Sequence, residues 1–127
     1  MAYVDGFLLP FSADKRDQYA DIARKVGEIW IKHGALQYWE SLLEDTTEQD
    51  FCTSFPAIIK PEAGETIAFA FVTFRDRAHR DEVNAKVMAD PEMDPAAWDG
   101  EMPFDCARMA WNGFESVVAL GGPASDD

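Results

Sequence analysis

The chain has 127 residues, of which 47% are apolar and 28% charged; this is one domain of ordinary globular composition and excludes a disordered chain. Lys and Arg number 11 against 24 Asp and Glu, for a net charge of −13, and the basic residues are scattered among acids, so no nucleic-acid partner is expected. The longest apolar runs, such as residues 67–72, are too short to span a bilayer, the N-terminus lacks a signal-peptide pattern, and two cysteines are too few for a disulfide framework, which together point to the cytoplasm and to no membrane partner.

Residues 3–11 read as a strand, with Pro10 near its end. Ser12 stands where a helix N-cap is needed, and Asp14 falls in the first turn. Tyr19, Ile22, Ala23, Val26, Ile29, Trp30 and His33 then follow helical spacing without a gap, and Gly34 supplies the left-handed position that ends a helix. Residues 35–43 read as a second strand and residues 44–50 as an acidic loop. Residues 51–60 are apolar but hold Pro56, which predicts an extended, irregular segment, and residues 61–64 form a turn. Residues 66–74 are the most strongly β-coded segment. Asp76 is a good N-cap for a second helix, which passes through Val83 and Val87 and must stop before Pro91. Residues 90–104 hold Pro91, Pro95 and Pro103 and form a long loop, of a length that is more often functional than empty. Residues 107–120 read as the fourth strand, with a break at Asn112-Gly113. Residues 1–120 are thus a single domain, and 121–127 a tail with nothing apolar to bury, expected to be disordered.

The order β-α-β-β-α-β predicts an α+β fold of the ferredoxin-like pattern, a four-stranded antiparallel sheet with two helices on one face. Such a sheet needs apolar residues on one face only. These strands carry them on both: Ile67, Phe69 and Phe71 oppose Ala68, Ala70, Val72 and Phe74, and Tyr38 and Leu42 oppose Trp39 and Leu43. The natural cover for the second face is a second copy of the sheet, which predicts a homodimer enclosing a barrel-like space. The rival is a monomer whose open face is covered by residues 44–65 and 90–106.

Polar residues within apolar strands are the candidates for chemistry, because an unpaired charge there is costly. Asp5 interrupts the first strand and Glu40 the second; Arg108 and Asn112 share a face of the fourth, with Asp105 at its mouth. A bidentate pair of Arg108 with Asp5 or Glu40 would satisfy both partners. Such a pair is either a structural device that fixes strand register or a ligand anchor with a carboxylate able to act as a base. Trp98, in the proline-rich loop, either pins that loop or closes over a site. The ligand-binding candidates are therefore Asp5, Glu40, Trp98, Asp105, Arg108 and Asn112, and the catalytic candidates Asp105, Arg108 and Glu40. His33 reads as a half-buried structural residue and His79 as a surface or boundary one. Two histidines without ligand spacing predict no metal site, and Cys52 and Cys106 read as free thiols. No nucleotide-binding or serine-hydrolase motif occurs, so no cofactor is expected.

Several segments resemble the YbaA-like bacterial proteins, a domain family of unknown function. They are Tyr3-Val4-Asp5-Gly6-Phe7, Ser54-Phe55-Pro56, Gly64-Glu65, the run from Arg80-Asp81 through Asn84, Lys86-Val87-Met88 and Asp90-Pro91 to Met93, and the run from Met102-Pro103-Phe104-Asp105 through Arg108-Met109 and Trp111 to Gly113-Phe114. The resemblance extends from about residue 3 to residue 116. It implies the dimeric α+β barrel superfamily, which also holds small cofactor-free monooxygenases and ligand-binding proteins. It supports the fold and the dimer and supplies no reaction. Glycine is usual in that family where this chain has Cys106 and Asn112, which would alter any pocket beside Arg108. A link of some relatives to signal-recognition RNA is not carried over, given the net charge of −13.

The leading functional expectation is a homodimer that binds a small organic ligand between helices and sheet. Arg108 and Asp105 would orient the ligand under a lid formed by residues 90–104, with monooxygenase-like or isomerase-like chemistry left open. The alternative is a non-catalytic interaction or scaffold protein whose motifs are folding devices.

Overall fold

The computed structural model describes residues 2–94 and 102–121. In chain order the elements are β1 (Tyr3–Ser12), α1 (Arg16–Lys32), β2 (Gln37–Leu42), α2 (Phe55–Ile59), β3 (Glu65–Phe74), α3 (Arg77–Met88) and β4 (Ala110–Glu115). The strands form one four-stranded sheet of order β2-β3-β1-β4, with every neighbouring pair antiparallel. The fold is of the α+β class.

The local signals act largely as expected. The apolar stripe of α1 buries Tyr19, Ala23, Ile29 and Trp30, and Gly34 follows its end with a positive φ. The Asp76 side chain accepts the His79 backbone N–H at 2.8 Å and starts α3, which ends ahead of Pro91.

Four details depart from the sequence expectation. Ser12 makes no side-chain cap; it ends β1, and a 3-10 turn at Ala13–Lys15 leads into α1. Residues 55–59 are helical rather than extended. Ser54 Oγ accepts the Ala57 N–H, and Pro56 falls in the first turn, where a missing N–H costs nothing. The fourth strand is shorter than residues 107–120. Its N-terminal part is a 3-10 turn at Cys106–Arg108, and it ends where β1 runs out, Glu115 pairing with Tyr3 and the Ser116 N–H reaching the Ala2 carbonyl. His79 is buried rather than at the surface: its Nδ1 accepts the Arg75 N–H and its ring meets Phe74 edge-on.

Alternation divides the sheet as predicted. Leu9, Phe11, Ala68, Val72 and Phe74 pack under α1 and α3 with Ile29, Trp30, Val83 and Val87. The opposite face carries Trp39, Phe69, Phe71 and Phe114. Phe71 stacks on Trp39 and touches Phe69, which stacks in turn on Phe55 of α2. Beside α2, Ile67 is 2% exposed, whereas Trp39, Phe69 and Phe114 are 53%, 42% and 58% exposed. The segment 44–65 therefore covers one end of this face and leaves an aromatic surface.

Gly27 sets the distance between α1 and the sheet. A Cβ there would lie 2.6 Å from Cδ1 of Tyr38 on β2. Glycine costs a helix interior about 1 kcal/mol relative to alanine, yet the clash is with a ring held in place and outweighs that gain. Gly27→Ala is expected to lower the melting temperature and to displace Tyr38, read by thermal unfolding and the Tyr38 ring signals; a stabilised variant with those signals unmoved would contradict the close approach.

Candidate functional site

An open groove of about 860 Å³ runs between α1 and β2. Tyr19, Ala23 and Gly27 line it from the helix, and Tyr38, Glu40 and Leu42 from the strand. β2 turns Tyr38, Glu40 and Leu42 to the helix side because alternate residues share a face. Glu40 lies on that surface with both oxygens engaged: Tyr19 Oη donates to Oε1 at 2.8 Å and Tyr38 Oη to Oε2 at 2.6 Å. Burial raises the Glu40 pKa, and the two phenol bonds oppose the rise without cancelling it. Burial and the neighbouring carboxylate push both phenols up, so they stay protonated donors. No cation contacts Glu40 among the described residues. The arrangement is a desolvated carboxylate of raised basicity in a groove, which is the equipment for proton transfer or for holding a donor group.

Asp5 lies on the same sheet face but is treated differently. It is 1% exposed, and Arg80 of α3 donates to its Oδ1 at 3.0 Å. Asn84 Nδ2 donates to Oδ2 at 3.4 Å while its Oδ1 accepts from Trp30 Nε1. The Arg80 guanidinium lies 4.9 Å from the Tyr3 ring centroid and 5.6 Å from that of Trp111. Burial raises the Asp5 pKa, and Arg80 is the chief opposing influence. Gly113 leaves room for this cluster, since a Cβ there would stand 2.6 Å from Tyr3 Oη and 3.0 Å from Asp5 Oδ1. This is a closed assembly in which each Asp5 oxygen has a donor, while the buried Arg80 Nε lies 3.0 Å from Asp81 Oδ1 without making a hydrogen bond.

The predicted pairing of Arg108 is corrected. Arg108 is in the turn before β4, not on the strand, and donates to Glu65 Oε2 at 2.7 Å rather than to Asp5 or Glu40. That bond holds the Glu65 carboxyl below its usual range, helped by the Glu62 N–H. Asp105 accepts the Ala107 N–H and caps the same turn. Asn112 pairs with Gly6 and is exposed, so it does not stand beside Arg108, whose partner Glu65 pairs with Ser12 at the far end of β1. Trp98 and the middle of the 90–104 loop lie outside the described residues. The structure therefore brings Glu40 into a groove and gathers neither Asp5, Asp105, Arg108 nor Asn112 around it. Tyr19 and Tyr38, which complete the Glu40 site, were assigned to packing by the sequence; a Tyr two residues from a strand Glu on the same face was the available signal. His33, half-buried as expected, bonds Asp90 at 2.7 Å, and Lys32 meets the same carboxylate at 2.8 Å. The Lys32 bond, then the Glu92 N–H and His33, hold Asp90 well below the usual carboxylate range. No cluster of three or more potential metal ligands occurs among the described residues.

A family model described as "Protein of unknown function (DUF1428)" matches residues 2–106. The chain belongs to this family. It is 36% identical over 118 residues to "Uncharacterized protein YbaA" of Escherichia coli, covering 93% of this chain and 98% of that protein. A protein of the same description from Shigella flexneri matches to the same extent. Among solved structures, "De novo designed protein Foldit4" aligns with a TM-score of 0.44 at 6% identity, over 91% of this chain and 99% of that one. The resemblance to YbaA-like proteins read from the motifs is thus shown, and membership assigns no activity. The motifs converge in space: Tyr3, Asp5, Arg80, Asn84, Trp111 and Gly113 build the Asp5 cluster, Glu65 holds Arg108, and Ser54 caps α2.

Two outcomes follow from the two carboxylates. Removing Arg80 leaves Asp5 buried without its counter-charge, so Arg80→Met is expected to cost about 3–5 kcal/mol of unfolding free energy in urea. Adding Asp5→Leu to it should recover part of that loss. For Glu40 the folded pKa is raised above the ordinary value of 4.5. The folded protein therefore holds that proton more tightly than the unfolded chain does. The resulting stabilisation is complete below the unfolded pKa and is lost as pH rises through the folded one. Relative to Glu40→Gln, the native protein should lose stability as pH rises above about 4.5 and through the raised folded pKa; urea unfolding over a pH series checks it, and a constant difference would mean that Glu40 is not desolvated.

Proposed function

We infer that the protein is a cytoplasmic homodimer of ferredoxin-like subunits that binds a small organic molecule in the α1–β2 groove, with Glu40 as the group that handles its proton or its donor. The observation that carries this reading is the Glu40 carboxylate, half-buried beside the groove and held by two phenols, without a counter-charge in contact. A carboxylate so placed is a competent base for a carbon acid, which makes isomerase-like proton transfer the reaction class it suits best.

The ferredoxin-like reading is supported by the order β4-β1-β3-β2, seen from the β4 edge, and by two long helices on one face, with α2 inserted between β2 and β3. The homodimer is supported by the exposed aromatic surface of Trp39, Phe69 and Phe114 on the other face, which a second sheet would cover. The cytoplasm is supported by two exposed free thiols. A net charge of −13 counts against nucleic acid, and no helix among the described residues is long and apolar enough to cross a membrane.

A second reading, a non-catalytic interaction protein, draws on the internal pairing of the motif residues: Arg80 with Asp5, Arg108 with Glu65 and Asp90 with Lys32. Those residues act as folding devices, and the reading leaves Glu40 without an explanation.

Native mass spectrometry of gently purified protein tests both the dimer and the ligand, through a doubled mass and a small adduct. The double variant Trp39→Glu, Phe114→Glu should convert the dimer to a folded monomer in light scattering, with a lower melting temperature that no longer depends on protein concentration. A native protein that is monomeric at high concentration would remove the dimer.

A further inference from the structure

Asp5 and Glu40, both on the helix side of the sheet, differ in one respect. Asp5 is neutralised by Arg80, whereas Glu40 is only hydrogen-bonded. An ionised carboxylate has about four acceptor positions. The phenols of Tyr19 and Tyr38 take one on each oxygen, so acceptor capacity remains for a donor from the groove. What Glu40 lacks is a cation in contact with it.

We propose that the groove takes an organic monocation, a primary or secondary ammonium on an apolar body, whose nitrogen donates to Glu40. This rests on the reading that the groove is the binding site. The apolar body is met by Ala23, Gly27, Ile31 and Leu42. An anion would be set against an uncompensated carboxylate, and a neutral molecule would leave that charge as it found it. The cations at the rim do not serve instead. Arg24 is paired with Glu28 at 3.6 Å and Lys32 with Asp90 at 2.8 Å. Arg16 also lines the groove, one turn from Tyr19, and makes no contact with Glu40; its charge opposes any cationic ligand, a second positive charge most. Proton and ammonium compete for the same carboxylate. A proton on Glu40 removes the charge that holds the ammonium and fills one of the acceptor positions left by the phenols.

The test is an NMR titration of the full chain with three probes that share a body and differ in charge: phenethylamine, phenethyl alcohol and phenylacetate. Phenethylamine should shift the Gly27 amide and the Tyr19 and Tyr38 ring signals and saturate below about 10 mM. Its affinity should fall about 10- to 100-fold in Glu40→Gln. Its affinity for the native protein should also fall as pH is lowered, which keeps the test sound if the variant does not fold. If the alcohol or the anion moves the same signals at least as strongly, or if the amine binds Glu40→Gln equally well, the ammonium class is wrong and the groove stands as a site. If none of the three moves those signals, both the ammonium class and the groove fall.

Discussion

The ion pair between Asp5 and Arg80 is the contact through which the separate parts of this fold are joined. Asp5 is on β1, which hydrogen-bonds to both β3 and β4. Arg80 comes from α3 and stacks near Tyr3 and Trp111, so β1, α3 and β4 meet at one guanidinium. Asn84 extends the network to Trp30 and so to α1. A buried charge pair contributes little net stability over an apolar replacement, but it is strict about geometry, because either partner alone is expensive. It therefore fixes where α3 lies on the sheet. A packed apolar contact, which tolerates sliding, would not do this as well.

Glu40 is the counterpart of that pair, on the edge strand β2 where Asp5 is on the interior strand β1. Both are carboxylates in strands that are otherwise apolar on that face. For Asp5 the cost of burial is met by a full opposite charge inside the protein. For Glu40 two dipoles meet part of it, and the groove beside it is open. A leucine at position 40 would remove the charge but leave the Tyr19 and Tyr38 hydroxyls without their acceptor, so the three side chains act as one unit. The difference between the two sites separates architecture from chemistry better than the motifs do, since most of the motif residues belong to the closed cluster.

The sequence makes much of this legible where one physical rule dominates. Alternation in residues 66–74 puts Ala68, Ala70, Val72 and Phe74 on one face, and that face is the one buried under the helices. Asp76 caps its helix because a side-chain oxygen three residues ahead of an N–H has one good use. Asp5 and Glu40 were visible as charges in apolar strands. Their partners were not, because pairing across elements depends on register and on helix rotation. Arg80 reads as one more charge on a polar helix, and only the fold turns it inward. Arg108 falls outside β4 because Asp105 caps a 3-10 turn at Cys106–Arg108 that delays the strand to Ala110, while the end of β1 at Tyr3 stops it at Glu115. Pro56 was read as a breaker, although at a helix start proline has no N–H to lose.

The groove itself follows from a single small residue. Without a side chain at Gly27, the Tyr38 ring approaches the helix backbone. That approach tilts Tyr38 beside Trp30 and carries its hydroxyl to Glu40. Tyr19, stacked on Phe11 and edged by Phe104, is held from the other side. Both phenols are thus positioned by packing and do not need Glu40 to order them. Their hydroxyls form a fixed pair of donors, and the carboxylate completes it. Preorganisation of this kind lowers the cost of holding a charge at the instant it is used. It requires glycine in the middle of α1, where alanine would make a better helix. A helix that gives up about 1 kcal/mol of its own stability at that turn does so for the ring that lies against it.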